Sequence, residues 1–163
     1  MNKFSATDGR IARIHERMPN HSKQHMTLHR LAYHVHKLTQ DNLNLLLKNY
    51  DLTTVSYTAL MVLYGSDNET QRASELCVAC TEKPANMTRV CDDLTERGLI
   101  SRQKSDTDRR GVVITLTAAG RELAESVSPL YWKIVNRIYA GIDDASMKKL
   151  ETMLRHQLNN LAV

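Results

Sequence analysis

Residues 105–117 read SDTDRRGVVITLT. Two aspartates, two adjacent arginines and a glycine precede a run rich in β-branched residues. Val112–Leu116 has the composition of a strand, and Ile100–Gln103 reads as its partner, so the polar residues between them form the charged tip of a β-hairpin. Just upstream, a helix is expected over 83–97, closed by Gly98, a residue suited to the left-handed position after a helix end. Thr81 is expected as its N-cap, with Pro84 in the first turn, where a missing N–H costs little. RASELCVAC (72–80) reads as a short helix before it. Short helix, tight turn, second helix and hairpin make a winged helix-turn-helix. In such a unit the second helix enters the major groove of DNA, where base edges present distinct donors and acceptors. The hairpin reaches the flanking minor groove, whose negative potential suits arginine.

Charge is distributed accordingly. Residues 83–98 hold Lys83, Arg89 and Arg97 against Asp92, Asp93 and Glu96, so the second helix is neutral, with its cations mostly early. Residues 99–111 hold Arg102, Lys104, Arg109 and Arg110 against Asp106 and Asp108, a surplus of positive charge where phosphates would lie. Asp108 can pair with an arginine and hold the tip in shape. A charged hairpin tip is also what any solvated turn looks like, so the wing reading depends on its neighbours in the chain.

Outward from this lobe the pattern is helical. Residues 1–24, with Gly9, Pro19 and three basic residues between 10 and 17, read as a loose arm carrying a short helix near 11–18. Leu28, Leu31, Ala32, Val35, Leu38, Leu45 and Leu46 recur at threes and fours over about 25–50. Thr53 or Thr54 caps a second helix, SYTALMVLYG, and 66–70 reads as a polar loop. After Thr117 a long helix carries Leu123, Val127, Leu130, Ile134, Val135 and Ile138 on one stripe. Gly141 breaks it, and Asp143 or Asp144 caps a last helix with Leu150, Met153, Leu154, Leu158 and Leu161.

The totals agree with one helical domain. The chain has 163 residues, 42% hydrophobic but only 5% aromatic, and a net charge of +4, a mild hint of an anionic partner. Cys77, Cys80 and Cys91 make an odd count with no signal peptide, which argues for reduced thiols in the cytosol. No apolar run is long enough to span a bilayer, so no membrane partner is expected. Nucleophile–base spacings, Gly-rich phosphate loops and paired-carboxylate motifs are absent, which excludes an enzyme and calls for no cofactor. An exposed aromatic platform for single-stranded RNA is lacking too.

The segment NMTRVCDDLTERGLISRQKSDTDRRGVVITLTAAGRELAE, residues 86–125, resembles the signature of the MarR family of winged-helix regulators. Thr88-Arg89, Leu94, Gly98, Arg102, Asp106-x-Asp108-Arg109-Arg110, Leu116-Thr117 and Gly120 carry the match. RIHERMP (13–19) and HRLAYHVHK (29–37) resemble its EmrR/MprA-like branch. The fold class so implied is mainly α with a small β-wing: a winged helix-turn-helix over 53–117, dimerisation helices at 25–52 and 118–163, and the arm at 1–24. The resemblance further implies a cytoplasmic, nucleoid-associated bacterial homodimer that binds a palindromic operator in double-stranded DNA. It implies a repressor released by a small aromatic or phenolic acid, or by a lipophilic effector. The excess of apolar helix faces independently favours a two-fold dimer.

Carried over by motif position, Pro84, Asn86, Thr88 and Arg89 lie in the first turns of the recognition helix. Asn86 is a candidate for adenine, and Arg89 for guanine or phosphate. Arg72 and Ser74 are expected on phosphates, and Arg109 and Arg110 in the wing, one in the minor groove and one bracing the hairpin. Lys83 departs from relatives that carry an acid there to support the wing. For an effector, His29, Tyr33 and His36 share one helical face, and Tyr57 and Met61 share another. Phenol and imidazole orient a planar anion while Met fills gaps; packing of the dimer interface by the same residues is the plainer reading.

His21, His25 and His29 step by four, a spacing zinc accepts, but without a nearby carboxylate or cysteine they read as partly exposed side chains and no metal site is assigned. Cys77 and Cys80 form a C-x-x-C that ends a helix instead of opening one, so buried, inert thiols are the plainer reading. A redox- or metal-responsive regulator on the same scaffold is the alternative function.

Overall fold

The computed structural model describes residues 4–104 and 111–161. Helix α1 (Ser5–Arg17) packs on α2 (Lys23–Leu47), which Ser22 caps by accepting the His25 N–H at 3.2 Å. The arm expected at 1–24 is therefore largely helix, and the helix begins earlier than 11. The reason is a pair of apolar anchors two turns apart: Phe4 and Ile11 are buried, and the Phe4 ring meets His34 of α2 edge-on at 5.4 Å.

After a 3-10 turn at Lys48–Tyr50, α3 (Thr54–Tyr64) opens with Thr53 and Ser56 in a reciprocal capping box. The stretch 66–70, expected as a loop, instead winds through a 3-10 turn at Asp67–Glu69 and begins a strand, β1 (Thr70–Arg72). Helices α4 (Ala73–Ala79) and α5 (Pro84–Glu96) follow, then β2 (Ile100–Lys104) and β3 (Val112–Leu116). The sheet has the order β1-β3-β2, all antiparallel, so β3 is central. Thr70 faces Thr115 across one pair and their hydroxyls lie 3.0 Å apart, while Ile100 faces Leu116 across the other.

Three chain reversals share one device. Asp51, Thr81 and Gly98 all take left-handed φ values, 51°, 55° and 69°. In each, the next residue's N–H reaches back to a helix carbonyl: Leu52 to Leu47, Glu82 to Cys77, and Leu99 to Leu94. These are Schellman closures. Thr81 thus ends α4 and does not cap α5, contrary to the sequence expectation. The N-cap position of α5 is Lys83, with extended backbone and no side-chain cap.

Thr117 caps α6 (Ala118–Tyr139) by accepting the Gly120 N–H at 3.1 Å, and Asp143 caps α7 (Asp144–Leu161) by accepting the Ser146 N–H at 2.9 Å. The core joins α3, α4, α5, the sheet and the first half of α6 through Leu60, Leu63, Leu76, Leu94, Ile114 and Val127. Outside that lobe apolar side chains are uncovered. Leu28, Val35 and Leu38 of α2 are about half exposed, as are Trp132 of α6 and Met153 of α7, while Leu158 reaches 66%. None of the described helices is long and apolar enough to cross a membrane.

Gly120 seats α6 on the lobe. A Cβ there would lie 2.0 Å from the Leu99 carbonyl oxygen, which already accepts the Thr117 N–H. Backbone on both sides leaves little room to yield. Gly120→Ala should lower unfolding free energy by about 1–3 kcal/mol or more, read as a reduced urea midpoint; an unchanged midpoint would show that α6 tilts freely.

Candidate DNA-reading surface

Helix α5 has an amphipathic sequence. Met87, Cys91 and Leu94 are buried, whereas Pro84, Thr88, Arg89 and Asp92 are exposed. Its position is fixed by guanidinium groups at two levels. At the C-terminal end, Arg97 donates to the carbonyls of Asp51 and of Tyr50, the latter at 3.1 Å. Midway, Arg102 of β2 donates to the Thr88 carbonyl at 3.0 Å and pairs with the Asp92 carboxylate. Its Nε is buried without a partner among the described residues. Arg102 therefore ties the wing strand to the reading helix. The sequence reading counted Arg102 in the positive surplus placed against phosphates; it is occupied internally, as is Arg97 of the neutral helix.

The entry to α5 is held by a thiol. Glu82 donates its N–H to the Cys77 carbonyl at 3.0 Å, and the Cys77 thiol donates back to the Glu82 carbonyl at 2.8 Å. The Glu82 carboxylate accepts from Asn86 Nδ2 at 2.7 Å, and Asn86 Oδ1 accepts from Arg89 at 3.3 Å. Both ends of the Asn86 amide are thus engaged within the lobe. Thr88 donates its hydroxyl to the Pro84 carbonyl at 2.9 Å, leaving its methyl and Arg89 outward. Arg72 and Ser74 lie exposed beside α5 at the start of α4; the Arg72 N–H donates to Glu75 at 3.3 Å. Lys83 is exposed at the first turn. Asp108, Arg109 and Arg110 fall outside the described residues, so the hairpin tip remains an expectation of the sequence. Arg102 and Glu82 were not singled out as site residues: their roles depend on Asp92, ten residues away across the helix–strand turn, and on Asn86, which the winding of the α4–α5 turn brings within reach.

The five residues assigned to an effector separate into two groups. His29, Tyr33 and His36 stay exposed on α2, where Arg30 sits 5.0 Å from the Tyr33 ring centre. Tyr57 is buried on α3 with its ring 4.5 Å from that of Tyr131. Its hydroxyl meets Ser128 of α6 only outside ordinary hydrogen-bond geometry, so it is buried without a proper partner among the described residues, and burial pushes its pKa up. Met61, one turn on, lines a cavity of about 270 Å³ with Tyr64, Ala124, Glu125, Ser128 and Pro129. The Tyr64 hydroxyl donates to Glu125 at 3.1 Å.

All three thiols are free, with Cys77 and Cys91 buried. Burial pushes Cys80 up to about 11 and raises Cys91, against the opposing pull of Arg102. Among the described residues, no three His, Cys, Asp or Glu side chains are grouped to hold a metal ion.

Thiols so placed are poor nucleophiles at neutral pH. At pH 7.5 a chromogenic disulfide reagent should label the native protein far more slowly than the urea-unfolded chain; equal rates would contradict the burial. The folded state keeps the Cys80 proton up to about pH 11, whereas an unfolded thiol releases it near 9.0. Its contribution to stability is therefore full below about pH 9 and declines as pH rises above that, measurable as a falling urea midpoint between pH 8.5 and about 10.5.

Comparison with known proteins places this geometry in a family. A model of the SarA/Rot transcriptional regulators matches residues 42–127. The transcriptional repressor MprA of Escherichia coli (strain K12) is 31% identical over 138 residues, spanning 85% of this chain and 78% of MprA. The crystal structure of Sco3205 from Streptomyces coelicolor, a MarR family transcriptional regulator in complex with DNA, aligns with a TM-score of 0.82 at 20% identity, over 88% of this chain and 91% of that one. BpsR of Bordetella bronchiseptica, whose DNA binding is regulated by 6-hydroxynicotinic acid, aligns with a TM-score of 0.71 at 21% identity, over 80% of this chain and 98% of that one. With a helix-turn-helix clamped to a sheet, long flanking helices and relatives that regulate transcription, the chain belongs to the MarR family of winged-helix transcriptional regulators.

Proposed function

We propose that the protein is a homodimeric repressor that binds a palindromic operator and releases it when a small aromatic effector enters the cavity at Met61. The observation that carries this reading is the clamped helix α5, whose N-terminal half projects Pro84, Thr88 and Arg89 outward with Lys83 beside them. In this reading Arg89 reads a base, and Lys83, Arg72 and Ser74 contact phosphates. Pro84 and Thr88 supply apolar contact, Asn86 stands behind Arg89, and Arg109 and Arg110, shaped by Asp108, form the wing. The protein works at the bacterial nucleoid, in the cytoplasm.

The uncovered stripes of α2, α6 and α7 support the dimer, because a monomer would expose them to water. His29, Tyr33 and His36 lie on that exposed helix, so here they serve the interface and not the ligand. Tyr57 and Met61 keep the effector role. Ser128 offers a polar contact in the lining, with the buried Tyr57 hydroxyl next to it but outside the lining, and MprA and BpsR are a repressor and a ligand-regulated DNA binder. The cavity lining holds Glu125 and no cation. That charge favours a phenol, or an aromatic acid in its protonated form, over a bare carboxylate. Burial of Cys77 and Cys91, and a Cys80 thiol that half-burial holds protonated at neutral pH, weigh against a redox switch as the alternative.

Selection from a library of random duplexes should yield a palindrome bound by the protein. Against it, Arg89→Ala should lose about 1–3 kcal/mol of discrimination, and Arg109→Ala should weaken all duplexes alike with a shallower salt dependence. Sedimentation at micromolar concentration should show twice the 18.6 kDa chain mass. Phenolic compounds should release the selected duplex, and Met61→Trp, which fills the cavity, should abolish that release but not binding. A monomer, or release that ignores Met61→Trp, would sink the corresponding part.

A further inference from the structure

Resting on the reading of Arg89 as a base contact, we infer that Glu82 is a positioning residue that sets the sequence preference of the reading helix through Asn86. Glu82 lies in the turn before α5, a place where an acid works against affinity for phosphates. It is nevertheless the most firmly held residue of that turn. Cys77 grips its backbone from both sides, as N–H acceptor at 3.0 Å and as thiol donor at 2.8 Å. The carboxylate is thereby fixed in space, and it accepts from Asn86 Nδ2 at 2.7 Å.

A carboxylate accepts only, so it dictates which way the Asn86 amide points. Nδ2 must face Glu82, and Oδ1 must face away from it, where it accepts from the Arg89 guanidinium at 3.3 Å. Reversal of the amide would set oxygen against carboxylate and NH2 against guanidinium. Glu82 thus orients Asn86, and Asn86 orients Arg89. Adenine recognition by asparagine needs both a donor and an acceptor from the amide. In Asn86 one N–H is tied to Glu82 and one oxygen lone pair to Arg89, which fixes the plane of the amide; its service in this relay is to restrict the guanidinium to one approach, the condition for a two-bond contact with guanine. Lys83 next to Glu82 offsets its charge toward DNA without being able to replace it as an acceptor.

The test uses the full-length protein and three variants in selection from a random duplex library, followed by affinity measurements on the duplex the wild type selects and on a scrambled one. Glu82→Ala removes the acceptor; Glu82→Gln keeps an acceptor and drops the charge; Asn86→Ala breaks the relay at its middle. Glu82→Ala and Asn86→Ala are expected to lose the preference at one base position per half-site, with roughly a tenfold fall in the ratio of selected to scrambled affinity. Affinity for the scrambled duplex should hold or rise, and thermal midpoints should stay near that of the wild type. Glu82→Gln should retain the preferred base. Retention of the preference by Glu82→Ala overturns the relay. Equal loss in Glu82→Gln overturns it as well, since charge and not hydrogen bonding would then be responsible. A wild type that enriches no sequence would refute the DNA-reading proposal itself and the relay with it.

Discussion

Helix α5 has to be presented to DNA in one orientation, and its inner face supplies Met87, Cys91 and Leu94, with the half-buried Val90, to hold it. Three hydrogen-bonding groups from outside the helix complete the seating. Arg97 anchors its end to the turn after α2, Arg102 joins its middle to β2, and Cys77 fixes the turn that precedes it. Apolar packing is non-directional; charge-assisted bonds from planar guanidinium groups are not. The combination lets a small lobe hold a helix rigidly while leaving its outer side chains clear.

The same allocation explains why charge counted along the chain overstates the charge available to a ligand. Arg97, Arg102 and Arg121 are all turned inward or sideways: onto carbonyls, onto Asp92 and onto Glu69, whose carboxyl Arg121 holds below the usual range. Among the described residues, what faces outward near the reading surface is a shorter set: Arg72, Lys83, Arg89 and, at the end of β2, Lys104. An arginine becomes structural or functional according to whether an acceptor of the fold lies within its reach, and only three-dimensional placement decides that.

Much of the architecture was legible in the sequence because it rests on local chemistry. The 83–97 helix ending at Gly98, the VVITL strand, and the caps at Thr53, Thr117 and Asp143 all follow from residue types at fixed offsets. What escaped has non-local causes. TQR at 70–72 carries no alternation and is a strand only because β3 offers it a partner edge. Thr81 looks like an N-cap by type, yet the 6→1 closure of α4 claims it first and forces the left-handed φ that a β-branched residue ordinarily avoids. Helix α1 hinges on two apolar contacts that periodicity over a polar segment does not reveal. At the site, residue types pointed to Arg89 and Asn86, but the Glu82 contact that occupies Asn86 depends on how the α4–α5 turn is wound.

The clamps on α5 share a property with an evolutionary consequence. Arg97 grips the carbonyls of Tyr50 and Asp51, Arg102 grips the carbonyl of Thr88, and Cys77 grips the carbonyl of Glu82. Every residue presents a carbonyl, whatever its side chain, so these grips survive replacement of the residue gripped. The helix can exchange its outward side chains one at a time and remain docked in the same pose. A scaffold held in this way is free to acquire new recognition sequences by point substitution, with the frame indifferent to the letters it displays.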